Sequence, residues 1–310
     1  MPTGRVAGSA AQEQTARARR ELLAGLPVTE RSIRAASIDT AVLEGGDGPP
    51  IVLLHGPGEA AVNWRRVIPD LTLTHRVVAP DLPAHGSTGR CGDGRLSEDR
   101  VVAWLDEVIG QTCTSPPVLV GHVLGGAIAA RYAARRGDQL RRLVLVDGLG
   151  LASFRPSRRF ATSLVRFVMH PNERSYERFM GQCAYDLDRL RDEMGEQWTA
   201  FVTYNLGLAR SASAKAAGRL FRSVGIPRIP ADALARIDVP TVLIWGRHDR
   251  AIRLTTAKRA SDRHGWPLHI IEASADDPPR DQPQAFLQVL RSVIDRPEPS
   301  ATRGDRHDHP

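Results

Sequence analysis

The chain has 310 residues, 42% of them hydrophobic, with 42 Lys or Arg against 35 Asp or Glu and a formal charge of +7. That length supports one sizeable core, or a core with an inserted subdomain, and no stretch approaches the ~20 apolar residues that a membrane span needs. The basic excess does not point to nucleic acid: Lys215 and Lys258 are the only lysines, the arginines are scattered as doublets such as Arg65 and Arg66, and only 5% of residues are aromatic.

In chain order, residues 1–27 read as a polar lead with helical tendency over 12–26. It lacks the apolar centre of a signal peptide, so a cytoplasmic location is expected. Short apolar runs follow at 51–54, 77–79, 118–120, 143–146, 242–245 and 268–271. Most are continuous, rich in β-branched residues and bounded by Gly, Pro or Asp, the pattern of strands buried on both faces. Helical stretches such as 98–109 and 125–135 separate them, which predicts a mostly parallel sheet with helices on both faces. Residues 152–238 hold amphipathic helical patterns (159–169, 173–183, 197–209, 212–221) and no convincing strand, so they read as a helical insertion. The core is then 28–151 plus 239–295, and the Pro- and Ser-containing tail 296–310 is expected to be disordered. Cys91, Cys113 and Cys183 are odd in number and widely spaced, which suits a reducing compartment and makes no metal pattern.

Five ordered motifs resemble the capped members of the α/β-hydrolase fold. They are His55-Gly56 after a strand; Ala79-Pro-Asp81-Leu-Pro-Ala-His85-Gly-Ser87; Gly121-His122-Val123-Leu124-Gly125-Gly126 between strand and helix; Trp245-Gly-Arg-His-Asp249; and Pro283-Gln-Ala-Phe286. The resemblance spans roughly residues 28–295 and implies an α/β-hydrolase fold with residues 152–238 as a helical cap.

Three departures stand out. The elbow position that holds Ser, Cys or Asp in the family holds Val123, whose isopropyl group cannot form a covalent intermediate. Alignment on Pro283 and Phe286 puts Asp276 at the place of the catalytic histidine; a slip of one residue puts Asp277 there. The residue after His55-Gly56 is Pro57, which has no N–H for an oxyanion hole. Leu124 remains as a donor, and Gly58 reaches the hole if the loop shifts. Asp249 is the surviving triad member. Facing Asp276 it predicts a carboxyl pair sharing one proton; the other reading has both solvated or neutralised by Arg247 or Arg280. Asp147, at a strand end, reads first as a turn cap and second as a reserve carboxylate. His55 and His122 read as loop and turn support, with the His55 ring bordering the pocket, and Trp64 as a pocket wall or as core packing.

Catalytic roles are therefore expected at Asp276 and Asp249, with Val123, Leu124, His55, Gly56, Gly58 and Trp64 lining the site. No dinucleotide, phosphate-loop or metal-spaced motif is present, so no cofactor and no metal are expected. The partner expected is an apolar small molecule, polycyclic ones included, with neither nucleic acid nor membrane. Three functions fit: a cofactor-free, non-hydrolytic enzyme stabilising an enolate or phenolate (an oxygenase, cyclase or lyase of natural-product biosynthesis, as in some members of the resembling family); an unconventional hydrolase in which Asp276 activates water; or a ligand-binding protein without catalysis. The first is ranked ahead.

Overall fold

A computed structural model describes residues 3–89 and 96–294. Cys91 and the tail 296–310 lie outside the described residues. The chain opens with helix α1 (Thr3–Leu23) and the strands β1 (Thr29–Ala35), β2 (Ile38–Gly45) and β3 (Pro50–Leu54). It continues through α2 (Ile68–Leu71), β4 (Arg76–Pro80), α3 (Glu98–Thr112), β5 (Val118–His122), α4 (Leu124–Arg136) and β6 (Arg142–Val146). The cap follows as α5 (Arg158–Met169), α6 (Glu173–Cys183), α7 (Leu187–Met194), α8 (Gln197–Arg210), α9 (Ala214–Leu220), a π-turn (Phe221–Gly225) and α10 (Ala231–Ala235). The chain then returns through β7 (Thr241–Gly246), α11 (Leu254–His264), β8 (Leu268–Ile271), α12 (Pro278–Asp281) and α13 (Pro283–Ile294).

All eight strands form one sheet, ordered β1-β2-β4-β3-β5-β6-β7-β8. From β4 to β8 the pairings are parallel, and β2 is antiparallel to both β1 and β4. This is the α/β-hydrolase fold with a helical cap. The continuous apolar runs serve two cores because alternate residues point to opposite faces. Val52, Leu54 and Leu119 join the core shared with α3, α4 and the cap. Ile51, Leu53, Val118 and Val120 join the core closed by Phe286, Leu287 and Leu290 of α13.

The edge hairpin β1–β2 was not foreseen. Its first strand is almost wholly exposed, with burial only at Ile33 and Ala35, so it offers no apolar run. Its turn uses Ala36 and Ser37 at φ 45° and 64°, where Asn or Gly would have announced it.

The polar lead is a docked helix. Ala18 and Leu22 of α1 are buried, and an added Cβ at Gly207 of α8 would fall 2.1 Å from Thr15 Oγ1. Arg19 is buried and reaches three distant segments. It pairs with Asp81 at 3.0 Å and Glu30 at 2.7 Å, and donates to Tyr204 Oη on α8 at 2.6 Å.

The elbow sits where β5 ends and α4 begins. Gly121 and Gly125 are required there by close approach. A Cβ on Gly121 would lie 2.4 Å from the Gly125 carbonyl oxygen, and one on Gly125 would lie 2.3 Å from that of Leu54. These glycines seat the helix on the sheet whatever residue occupies position 123.

Candidate active site

The C-terminal ends of β3, β5, β6 and β7 bring His55, Val123, Asp147 and Asp249 to one side of the sheet, as expected for a site in an open α/β fold. Val123 is held at φ 46°, ψ −100°. That conformation is strained for a β-branched residue, at a cost of about 1–3 kcal/mol. Its N–H bonds the Val146 carbonyl at 3.0 Å, and the Gly125 N–H bonds that of His55 at 3.2 Å. Between them the Leu124 N–H begins the helix. Val123 is 7% exposed. The cap's π-turn lies directly above, since a Cβ on Gly225 would come within 3.0 Å of Leu124 Cδ1.

His55 holds its loop. Its Nε2 accepts from the Leu82 N–H at 2.9 Å, so the proton sits on Nδ1 and is given to the Gly56 carbonyl at 2.8 Å. Burial depresses its pKa to about 4 and keeps the ring neutral. Gly58 lies at φ 74°. Trp64 is placed in the core on the α13 side, beside Phe286 and edge-on to His122 at 6.2 Å.

Asp276 lies at the crossing of several chains. Its carbonyl accepts from His122 Nε2 at 2.6 Å, and its N–H points to the Cys183 carbonyl at 3.4 Å. Its Oδ1 is 3.7 Å from the Arg280 guanidinium and has no hydrogen-bond partner. Burial lifts the Asp276 pKa well above the carboxylate range; Arg280 opposes this, and Asp249 and Asp277 add to it. Burial thus favours the neutral acid form of this side chain. Cys183, at the end of α6, lies within hydrogen-bonding reach of Asp276, and burial followed by that neighbour pushes its thiol well above its usual pKa. A protonated thiol is a poor nucleophile.

Asp249 accepts from the N–H groups of Ala251 and Ile252, both at 2.7 Å, through Oδ1. Its Oδ2 is buried without a hydrogen-bond partner, and Asp147 Oδ1 accepts from the Gly246 N–H at 3.0 Å. Burial raises Asp249 to about 6, and raises Asp147 well above the usual range with the Asp249 charge adding. Asp249 thus acts electrostatically on both Asp147 and Asp276. Arg247 is not at the site; it pairs with Glu272 on the surface.

Sequence reasoning missed Glu59 and gave His122 too small a part. Glu59 Oε2 accepts from the Gly56 N–H at 2.9 Å and lies 3.6 Å from His122 Nδ1. Burial disfavours a charged His122, but Asp277 and Glu59 outweigh it and push its pKa up to about 9. Burial also opposes ionisation of Glu59, yet His122 and Arg280 bring its pKa down to about 2. Arg280 completes the cluster, 2.9 Å from Asp277 and 3.7 Å from Glu59. The signal available in the sequence was an acid, Glu59, three residues after the His-Gly pair. Glu59, His122 and Asp277 have the donor types of a cation site, with ligand atoms within 4.8 Å of one another. Their negative charge is already matched by Arg280, and an imidazolium has no lone pair to offer a metal.

The consequence for catalysis is electrostatic. Pro57 removes one oxyanion donor, and the Glu59 carboxylate occupies another, the Gly56 N–H. An alkoxide near this loop would face a buried anion. A cavity of about 340 Å³ opens at the other end of the sheet, by Arg142, Val239, Thr241 and Trp266, away from all these groups.

Comparison with known proteins bears on the chemistry. The family model for the alpha/beta hydrolase fold matches residues 49–273. The chain is 30% identical over 243 residues to a 2-hydroxymuconate semialdehyde hydrolase of Pseudomonas sp. (strain CF600), covering 76% of this chain and 83% of that one. It is also 30% identical over 276 residues to a 2-hydroxy-6-oxo-2,4-heptadienoate hydrolase of Pseudomonas putida, covering 85% and 95%. The 2-hydroxy-6-oxo-6-phenylhexa-2,4-dienoate hydrolase of Rhodococcus sp. superposes with a TM-score of 0.75 at 21% identity, over 86% of this chain and 98% of that one, which speaks for the fold.

These relatives correct the leading expectation. A non-hydrolytic oxygenase, cyclase or lyase of natural-product biosynthesis is not what they support; they are hydrolases. The physical reason the sequence misled is specific. A valine at the elbow reads as evidence against hydrolysis, but hydrolysis needs only water and a group that moves protons.

Proposed function

The chain belongs to the α/β-hydrolase fold family, and on that premise we propose that it hydrolyses a small carbonyl compound by direct attack of water, with the carboxylic acid of Asp276 relaying protons. The observation that carries this is the buried Asp276 side chain, whose Oδ1 has no partner and whose acid form burial favours. One oxygen donates its proton to the substrate carbonyl while the other takes a proton from the attacking water. The product of that step is a neutral gem-diol, and the carboxyl is again neutral. A second relay moves a gem-diol proton to the leaving group as its bond to the carbonyl carbon breaks. No oxyanion need form, which suits a loop with Pro57 and the Glu59 carboxylate. Val123 supplies an inert wall, and the Leu124 N–H orients the carbonyl. The relatives' names suggest the substrate class, oxo-dienoates and semialdehydes.

The test is turnover of a 2-hydroxy-6-oxo-dienoate. Asp276→Asn is expected to lower kcat at least 100-fold. The wild-type rate should stay flat at acid pH and fall as pH rises through the Asp276 pKa, because the acid form is the active one. A pre-steady-state burst, or full activity in Asp276→Asn, overturns the reading.

A second reading is a ligand-binding member without turnover. Val123 at the elbow favours it, as do Gly121 and Gly125, which answer to backbone packing and need no chemistry. Saturable binding of the same compound, recovered chemically unchanged, would establish it.

A further inference from the structure

The cap carries a feature that hydrolysis does not use. Helix α5, sequence RRFATSLVRFVM, packs inward through Phe160 and Phe167. Phe160 lies edge-on to Phe179 of α6 at 5.6 Å, and Phe167 stacks on the same ring at 5.5 Å. The opposite side of α5 is also apolar. Val165, Val168 and Met169 are 60%, 65% and 65% exposed, three of the five large hydrophobic residues so exposed among the described residues. Their i, i+3, i+4 spacing aligns them as one stripe. Arg158, Arg159 and Arg166 are exposed on the same outer side, and α5 contains no acidic residue. Among the described residues no carboxylate lies within ion-pair distance of these three arginines.

We propose that the outer face of α5 docks the protein on an anionic lipid bilayer surface. The sequence excludes a spanning segment, and no helix among the described residues is long and apolar enough to cross a membrane. A helix lying in the interface has other requirements: an apolar stripe that sinks below the headgroups, and flanking cations whose aliphatic stems follow it while their charges stay at phosphate level. α5 meets them on the side turned away from the cap. Val165, Val168 and Met169 enter the acyl boundary, and the arginines pair with lipid phosphates. A second copy of the chain is the poorer occupant, because a two-fold contact through α5 would bring like-charged arginines together with no acid on the helix to answer them.

The experiment is co-flotation of the full chain with vesicles of phosphatidylcholine alone or of phosphatidylcholine mixed with the anionic lipid phosphatidylglycerol, whose surface potential attracts basic residues. Binding to the mixed vesicles is expected, with little to phosphatidylcholine. Replacing the three arginines by Gln should weaken binding about 100-fold, and Val165→Ser with Val168→Ser should abolish stable flotation. All five sites are exposed, so the variants keep the wild-type circular dichroism and melting temperature. No binding to either vesicle, or equal binding to both, overturns the proposal. So does a dimer in sedimentation that dissociates in the valine variant while flotation is unaffected.

Discussion

Asp147 and Asp249, at the ends of neighbouring strands, are buried carboxyls, each with one oxygen that has no hydrogen-bond partner, and each shifts the other's titration. A proton shared between them is the expected outcome: burial and the Asp249 charge favour the protonated form of Asp147, while the backbone N–H groups of Ala251 and Ile252 stabilise charge on Asp249. The Asp147 pKa is raised on folding, so the native state holds a proton that the unfolded chain releases above about pH 4. Stability is lost as pH rises. Asp147→Asn keeps a donor to Asp249 without that proton. Urea midpoints should show the variant gaining on wild type by roughly 1 kcal/mol per pH unit between pH 5 and 8. Parallel curves would contradict the shared proton.

His122 should titrate near pH 9. Its folded pKa lies above the unfolded value of 6.5, so its stabilising contribution is complete below about pH 6.5 and is lost as pH rises through 9. The full effect is about 3 kcal/mol. Imidazole proton resonances followed by NMR measure the pKa directly, and a midpoint near 6 would refute the Glu59–His122–Asp277 arrangement. In Glu59→Gln the midpoint should move down.

A serine at the elbow alone should remain inert. Its hydroxyl would find no base, since His122 is charged and tied to the Asp276 carbonyl. Val123→Ser is expected not to react with a fluorophosphonate probe. Val123→Ser with Asp276→His places an imidazole between that hydroxyl and Asp249, the arrangement of a working triad. Labelling is expected in the double variant only; its appearance in the single one would show that a base is already present.

Arg19→Ala should cost about 3–5 kcal/mol, because it leaves buried Asp81 without its cation. Chemical denaturation measures the loss, and proteolysis should clip α1 before the rest of the chain. An unchanged midpoint would mean that the helix contributes nothing to the fold.

The fold was legible because buried parallel strands are continuous apolar runs. Val118 to Val120, or Leu143 to Val146, admit no other reading once helices alternate with them. The β1–β2 hairpin was not, because its outer strand is exposed and its turn uses Ala36 and Ser37. The elbow was legible from its glycines, which answer to backbone contacts, and its lost nucleophile from Val123 itself. The charges around it were not. His122, Glu59 and the pair Asp277 and Arg280 come from three separate stretches of chain, and only their meeting decides which proton sits where. Asp147 drew little weight for the same reason: its partner is a strand away in space and about a hundred residues away in sequence.

The Arg19 anchor sets an order of assembly. Its partner Tyr204 lies 185 residues downstream, so on the ribosome the first helix emerges long before its berth exists. Closing so long a loop is slow. A helix made well before its partner is thus among the last to settle, and until it does its apolar side, with Ala18 and Leu22, stays open to water.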